Sequence, residues 1–256
     1  MKSTARRQEI MELLVTHGTV ELEELALRFS VSKMTVHRDL DHLEEAGLLR
    51  KVRGGASIES SGQFESDFLY RKQRATKEKR LIAQAAFNLI EPGMTIIIND
   101  GSTADLLGEL LPEKRPLTVI TNNMAVINEL SSKKGVTLIA LGGVYSQKFN
   151  GFFGVTTDDC LIHLRADLAF ISSPAVDGLK CFHMDQDVVR AKRSMLTATK
   201  KAYLMVDHQK FGRTALHVLA NLDEFEGVIV DQEPDPKTMA ALDQAGIKII
   251  VAQGEV

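Results

Sequence analysis

The chain has 256 residues, 44% of them hydrophobic and 25% charged, which excludes disordered and fibrous classes and fits one large or two smaller globular domains. A net charge of -3 argues against a protein that coats nucleic acid indiscriminately, because non-specific binding comes from neutralising phosphates. No apolar run approaches the ~18 residues of a membrane helix, the charged N-terminus has neither a signal nor a transit pattern, and the two cysteines, Cys160 and Cys181, make no disulfide framework. A reduced, cytoplasmic protein with no membrane contact is expected.

Ile10, Leu13 and Leu14, then, after a break at Gly18, Leu22, Leu25, Ala26 and Phe29 recur at helical spacing and predict two amphipathic helices. Ser30-Val31-Ser32 is a short polar turn, and Ser32 can cap a third helix whose buried seam is Val36, Leu40 and Leu43. Gly47 ends that helix. Residues 48–52, Gly54-Gly55 and residues 56–58 read as a small hairpin, a wing. Lys33, Thr35, His37 and Arg38 lie in the first two turns of the third helix, away from its seam. In a helix-turn-helix those positions reach base edges and phosphates. A three-helix protein-interaction module would share the core pattern. The wing cations Arg50, Lys51 and Arg53 favour DNA, since beside the helix they can neutralise phosphates flanking the groove. The acidic residues Glu21, Glu23, Glu24, Glu44 and Glu45 are expected to sit elsewhere.

Residues 57–62 are Ser/Gly-rich and mark a hinge and a domain boundary. Residues 64–90 predict one helix, with Lys79 and Arg80 on one side, Leu81, Ile82, Ala85, Ala86 and Leu89 on the other, and Pro92-Gly93 as its stop. Beyond it, short β-branched runs at 95–99, 117–121, 136–140, 166–172, 202–206, 227–230 and 247–251 alternate with helical segments, the signature of a largely parallel sheet covered by helices.

Asn99-Asp100-Gly101-Ser102-Thr103 follows a strand and opens a helix. Gly101 lets the backbone approach a ligand, the helix N-terminus offers free N–H groups, and the Ser102 and Thr103 hydroxyls add donors, which together suit a phosphate; an ordinary capping turn has the same letters. Thr121-Asn122-Asn123, Gly142-Gly143 and residues 207–212, with Lys210, follow three further strands, and Lys192 and Arg193 lie on the helix before the last of these. Polar loops gathered at one sheet edge would form an anionic-ligand pocket. Cys160 with His163 and Cys181 with His183 lack the second half of a zinc site, so no metal is expected. No dinucleotide, Walker or nucleophile-elbow signature supports a cofactor or the chemistry of those families.

These residues resemble the DeoR family of bacterial transcriptional regulators, from about residue 7 to about 231. The strings that carry the likeness are residues 31–40 and Arg53-Gly54-Gly55-Ala56 at the front. Behind them come residues 99–103, Thr121-Asn122-Asn123, Leu141-Gly142-Gly143, Lys192-Arg193-Ser194-Met195 and residues 207–212. The resemblance implies a winged helix-turn-helix over residues 1–58, a linker and the start of a connecting helix over 59–75, and over 76–256 an α/β effector domain similar to ribose-5-phosphate isomerase. It further implies a homo-oligomer that binds double-stranded operator DNA, represses a carbohydrate operon and senses a phosphorylated sugar or sugar derivative. Carried over by position, Lys33, Thr35, His37 and Arg38 would face DNA. Asp100, Gly101, Ser102, Thr103, Asn122, Gly143, Lys192 and Lys210 would line the effector pocket.

Three departures stand out. His37 replaces a second arginine common in the family, Ser172-Ser173-Pro174-Ala175 replaces a more glycine-rich loop, and Val188 stands where an acidic residue is frequent, with Asp185 and Asp187 nearby as substitutes. The rival reading is a sugar-phosphate isomerase or deaminase on the same scaffold, which needs a general base at the substrate; Asp100 and Asp177 are the candidates. An adaptor that binds protein through its helical front is a third.

Overall fold

The computed structural model describes residues 3–45, 49–57 and 68–252. The expected helix stop at Gly47, Leu48, Ile58, residues 58–62 of the hinge and residues 64–67 of the long helix fall outside them. The chain divides into two compact units, Met1–Arg74 and Ala75–Val256.

The first unit runs α1 (Ser3–His17), β1 (Thr19–Glu21), α2 (Leu22–Phe29), α3 (Lys33–Glu45), β2 (Arg50–Val52), β3 (Gly55–Ser57) and α4 (Phe68–Gln73). Its core is the set that helical spacing selects: Ile10 and Leu14 of α1, Leu22 and Leu25 of α2, and Val36, Leu40 and Leu43 of α3. Burying each such side chain contributes about 1.5–3 kcal/mol. α2 stops where Ser30 turns left-handed, with φ 52°, and the Val31 N–H returns to the Ala26 carbonyl at 3.1 Å. The wing has a third strand that the sequence pattern did not give: β1 pairs antiparallel with β3. Gly55 makes this pairing possible, because a Cβ there would lie 2.0 Å from the Val20 carbonyl oxygen.

The single helix expected over 64–90 is two. α4 ends at Gln73, Ala75 takes a left-handed φ of 50°, and α5 (Thr76–Asn88) starts afresh. Alanine carries no sequence mark of such a break, since its intrinsic preference is for helix.

The second unit continues with β4 (Thr95–Ile98), α6 (Ser102–Leu110), β5 (Leu117–Thr121), α7 (Met124–Leu130) and β6 (Val136–Ala140). A hairpin, β7 (Val144–Ser146) and β8 (Gly151–Phe153), leads to α8 (Val155–Ile162) and β9 (Ala166–Ser172). β10 (Ala175–Asp177), β11 (Lys180–His183), α9 (Gln186–Thr197), β12 (Thr199–Met205), β13 (His217–Asn221), β14 (Gly227–Val230), α10 (Pro236–Gln244) and β15 (Ile249–Val251) complete it. All seven expected runs become the seven strands of one sheet, in the order β15-β14-β12-β9-β4-β5-β6, every pair parallel.

Both faces of this sheet are apolar, as a parallel sheet covered by helices requires. Ile96, Ile98, Leu168 and Phe170 point to the layer formed by α5, α6 and α7. Their neighbours Ile97, Ala169 and Ile171 point to the opposite layer with α8, α9 and α10. A small antiparallel sheet, β10-β11-β13, also contributes to that second layer.

Candidate functional site

In the first unit, the start of α3 is held by a local cap. Ser32 Oγ accepts the Thr35 N–H at 3.2 Å and lies 3.0 Å from the Thr35 hydroxyl, so Thr35 is turned toward the cap. Lys33 and Arg38 are exposed, and Thr35 and His37 are half-buried. Beneath them Arg6 Nε of α1 meets Asp39 Oδ2 of α3 at 2.5 Å with both side chains buried, and Arg7 lies 3.7 Å from the other carboxylate oxygen. This pair, which helical spacing did not reveal, ties the orientation of α3 to α1.

The expected separation of acidic from basic groups does not survive folding. Lys33 pairs with Glu23 of α2, and that hydrogen bond holds the Glu23 carboxyl below its ordinary value. Lys51 of the wing pairs with Asp41 of α3, which raises the lysine's pKa, and its backbone N–H bonds Glu44 at 2.7 Å. Both lysines thus have an internal carboxylate partner. Arg38 and Arg53 are exposed cations on the same unit. Met34, 63% exposed on the first turn of α3, is an apolar group that charge-based reading passed over; such a side chain suits a thymine methyl.

In the second unit the strand order reverses between β9 and β4: from β4 the chain builds outward to β5 and β6, then crosses back to β9 and builds the other way. Open α/β sheets bind ligands in the crevice at the carboxyl ends of the strands at such a switch point. The sequence places Asn99–Thr103 past β4 and Ser172 at the end of β9, on either side of it. Asn99 Oδ1 accepts the Ser172 N–H at 3.0 Å and Asn99 Nδ2 donates to Ser172 Oγ at 3.2 Å. Asn123 Nδ2 donates to the carbonyls of Asn99 and Gly101 at 3.3 and 3.2 Å, while its Oδ1 caps α7 through the Ala125 N–H at 3.0 Å. The loop that opens α6 is thereby fixed from both sides.

Lys192 reaches this loop from α9. Its Nζ donates to the Ser172 carbonyl at 3.0 Å and stands 3.6 Å from Asp100 Oδ1, with the two side chains 1% and 0% exposed. Asn122, fully buried at the end of β5, donates Nδ2 to the Phe152 carbonyl at 2.9 Å. Asp100 Oδ2 and Asn122 Oδ1 are buried and accept no hydrogen bond from the described residues. Gly143, past β6, has φ 138°, and a Cβ there would come within 2.5 Å of the Phe153 carbonyl oxygen, so β8 can pass close only over glycine. Lys210 lies past β12, in a short 3-10 helix, with Nζ 3.4 Å from Asp207 Oδ2. Beside it His208 Nδ1 meets Asp231 Oδ2 at 2.6 Å.

Asp100, Gly101, Ser102 and Thr103 thus stand together at the end of β4, Asn122 and Gly143 at the ends of the next two strands, and Lys192 inside the cluster. Lys210 is at the same sheet edge, beyond β12. Residues that the pattern did not single out complete the frame, above all Ser172, Asn123 and Gly151, whose added Cβ would meet the Asn122 carbonyl at 3.1 Å and Asp100 Cβ at 3.3 Å. The alternative general base, Asp177, is exposed at the end of β10, outside this cluster. Val188 is fully buried against Phe149, Phe153 and Ala191, and Asp185 caps α9 by accepting the Asp187 and Val188 N–H groups at 3.0 and 3.1 Å. The apolar departure is therefore a core position, and Asp185 is occupied as a cap.

Residues 6–62 match the DeoR-like helix-turn-helix domain, and residues 74–232 match the DeoR C terminal sensor domain. The glycerol-3-phosphate regulon repressor of Escherichia coli (strain K12) is 32% identical over 250 residues, 97% of this chain and 99% of that one. The L-fucose operon activator of Haemophilus influenzae is 33% identical over 232 residues, 90% of this chain and 93% of that one. Among solved structures, a D-ribose-5-phosphate isomerase in complex with phospho-erythronic acid is similar at a TM-score of 0.40 and 17% identity, over 53% of this chain and 54% of that one. With both of its domains matched and relatives aligned over nearly its whole length, the chain belongs to the DeoR family of transcriptional regulators.

Proposed function

We propose that the chain represses a carbohydrate-utilisation operon and is released from its operator by a phosphorylated sugar or sugar derivative, bound and not converted at the sheet edge. The observation that carries this reading is the pairing, in one chain, of a recognition helix with exposed Lys33 and Arg38 and a switch-point loop that opens α6. A phosphate suits the first N–H groups of that helix and the adjacent Ser102 and Thr103 hydroxyls. Relatives named as a regulon repressor and an operon activator support regulation over catalysis. In this reading the protein acts in the cytoplasm as a homo-oligomer, and a dimer would read half-sites a whole number of DNA turns apart, ~10 bp or a multiple.

The test is a gel shift with DNA upstream of the neighbouring operon, with and without a panel of sugar phosphates. Specific binding relieved by one of them is expected. Multiple-turnover isomerisation or deamination of a panel member would put the enzyme reading ahead.

A further inference from the structure

The site described above contains more than a phosphate needs. Asp100 Oδ2 and Asn122 Oδ1 are buried at the ends of adjacent strands, with no hydrogen bond from the described residues, a state that costs free energy unless something donates to them. Asn122 cannot turn its amide to help, because Nδ2 is held by the Phe152 carbonyl. An ionised carboxylate and an amide oxygen are acceptors only, and a phosphate carrying most of its charge at neutral pH brings further acceptors. Lys192, the nearest cation, is already bonded to the Ser172 carbonyl and paired with Asp100. We propose that Asp100 Oδ2 and Asn122 Oδ1 form a hydroxyl-reading pair. They require two hydroxyl donors of the bound molecule, so the ligand is a phosphorylated polyol or sugar recognised by its hydroxyl pattern. Lys192 holds Asp100 in place and does not bind the phosphate.

This inference rests on the sugar-phosphate reading of the site and assigns its specificity. The two acceptors share the strand ends with the α6 N-terminus, so one loop divides the labour. The N–H groups from Gly101 onward take the anion, and the side chains of Asp100 and Asn122 read the hydroxyls. Gly151 keeps the space between them, since a side chain there would crowd both Asp100 Cβ and the Asn122 backbone.

The experiment is calorimetric titration of the full-length protein with sn-glycerol 3-phosphate and a set of hexose and hexitol monophosphates. Each is compared with counterparts lacking one hydroxyl, and with inorganic phosphate. Wild type should prefer at least one hydroxylated probe over a singly deoxygenated counterpart by about 10- to 100-fold, the range of a hydrogen bond to a charged or buried acceptor. Asp100→Asn and Asn122→Leu should each narrow that ratio to less than about 3-fold. A purely structural role would lower stability and leave the ratio unchanged, and an unchanged ratio in both variants overturns the proposal. If Asp100→Asn does not fold, Asn122→Leu, which leaves the Asp100–Lys192 charges intact, gives the same readout alone. Should no phosphorylated probe bind wild type, the sugar-phosphate reading itself fails and this inference with it. Binding with unaltered discrimination in the variants defeats only the hydroxyl-reading pair.

Discussion

Among the described residues each unit buries an acid–base pair, Arg6–Asp39 in the first and Lys192–Asp100 in the second, and the two are built differently. In the first unit Arg6 and Asp39 meet at 2.5 Å, and Arg7 approaches the second carboxylate oxygen at 3.7 Å. In the second, Lys192 stands 3.6 Å from Asp100 and leaves one carboxylate oxygen buried without a hydrogen bond from the described residues. A buried pair with close geometry holds elements in register, whereas breaking it leaves an uncompensated charge. A pair left with an open acceptor is poorly suited to holding a fold and well suited to receiving a ligand.

The largest expected effect breaks the first pair. Asp39→Ala leaves Arg6 buried without its counter-charge and should destabilise the first unit by ~3–5 kcal/mol. Urea unfolding should show the loss, and operator binding should disappear with it. Near-wild-type stability would mean that the pair does not fix α3.

Next comes the sensor side. Lys192→Ala would strand Asp100, so Lys210, whose side chain is 22% exposed and 3.4 Å from Asp207, is the cleaner probe. An ammonium bonded to a phosphate contributes about 1.5–3 kcal/mol. Lys210→Ala should therefore raise the effector concentration needed for release by ~10-fold or more at unchanged operator affinity. Superimposable release curves would remove Lys210 from the site.

Within the DNA-binding unit, cations with and without an internal carboxylate partner should separate. Arg38→Ala should weaken specific binding by ~1–3 kcal/mol if the guanidinium reads a base. Lys51→Ala should lose less than ~1 kcal/mol, because contact with DNA must first release Asp41. Equal losses at matched salt would show that the internal pairing does not matter.

The smallest effect tests burial of charge away from both sites. Asp158 is pushed above the ordinary carboxylate value of 3.8, chiefly by burial, with Arg190 acting against the shift. Folding thus favours its protonated form, and the stability this contributes is present below 3.8 and lost as pH rises through the raised value. At pH 7 Asp158→Asn should be neutral or stabilising by about 0.5 kcal/mol or less, and, lacking a group whose protonation favours the folded state, it should lose more melting temperature than wild type as pH falls through the acid range. Marked destabilisation at pH 7 would show that the Arg190 contact outweighs burial.

The same contrast explains what was legible beforehand. The seven strands of the large sheet could be read because each carries apolar groups to two covered faces, as Ile96, Ile97 and Ile98 do. β1, the β7–β8 hairpin and β10 have three residues each, too few for alternation to register. The loop letters from Asp100 to Thr103 were visible, but what sets this loop apart from an isolated capping turn was not. That distinction lies in Lys192 arriving from α9 and in the amide network of Asn99 and Asn123, contacts between segments far apart in the chain. Likewise Lys33 and Lys51 looked free because Glu23 and Asp41 are neighbours only after folding.

The most direct test is an effector titration of the preformed protein–operator complex, followed by the anisotropy of labelled operator DNA. Wild type should release DNA as a phosphorylated sugar is added and stay bound with its dephosphorylated form. Arg38→Ala should bind weakly from the start, and Lys210→Ala should bind normally but release late. Release that ignores the phosphate, or a complex that no sugar phosphate disturbs, would contradict a sensor built at the switch point of the sheet.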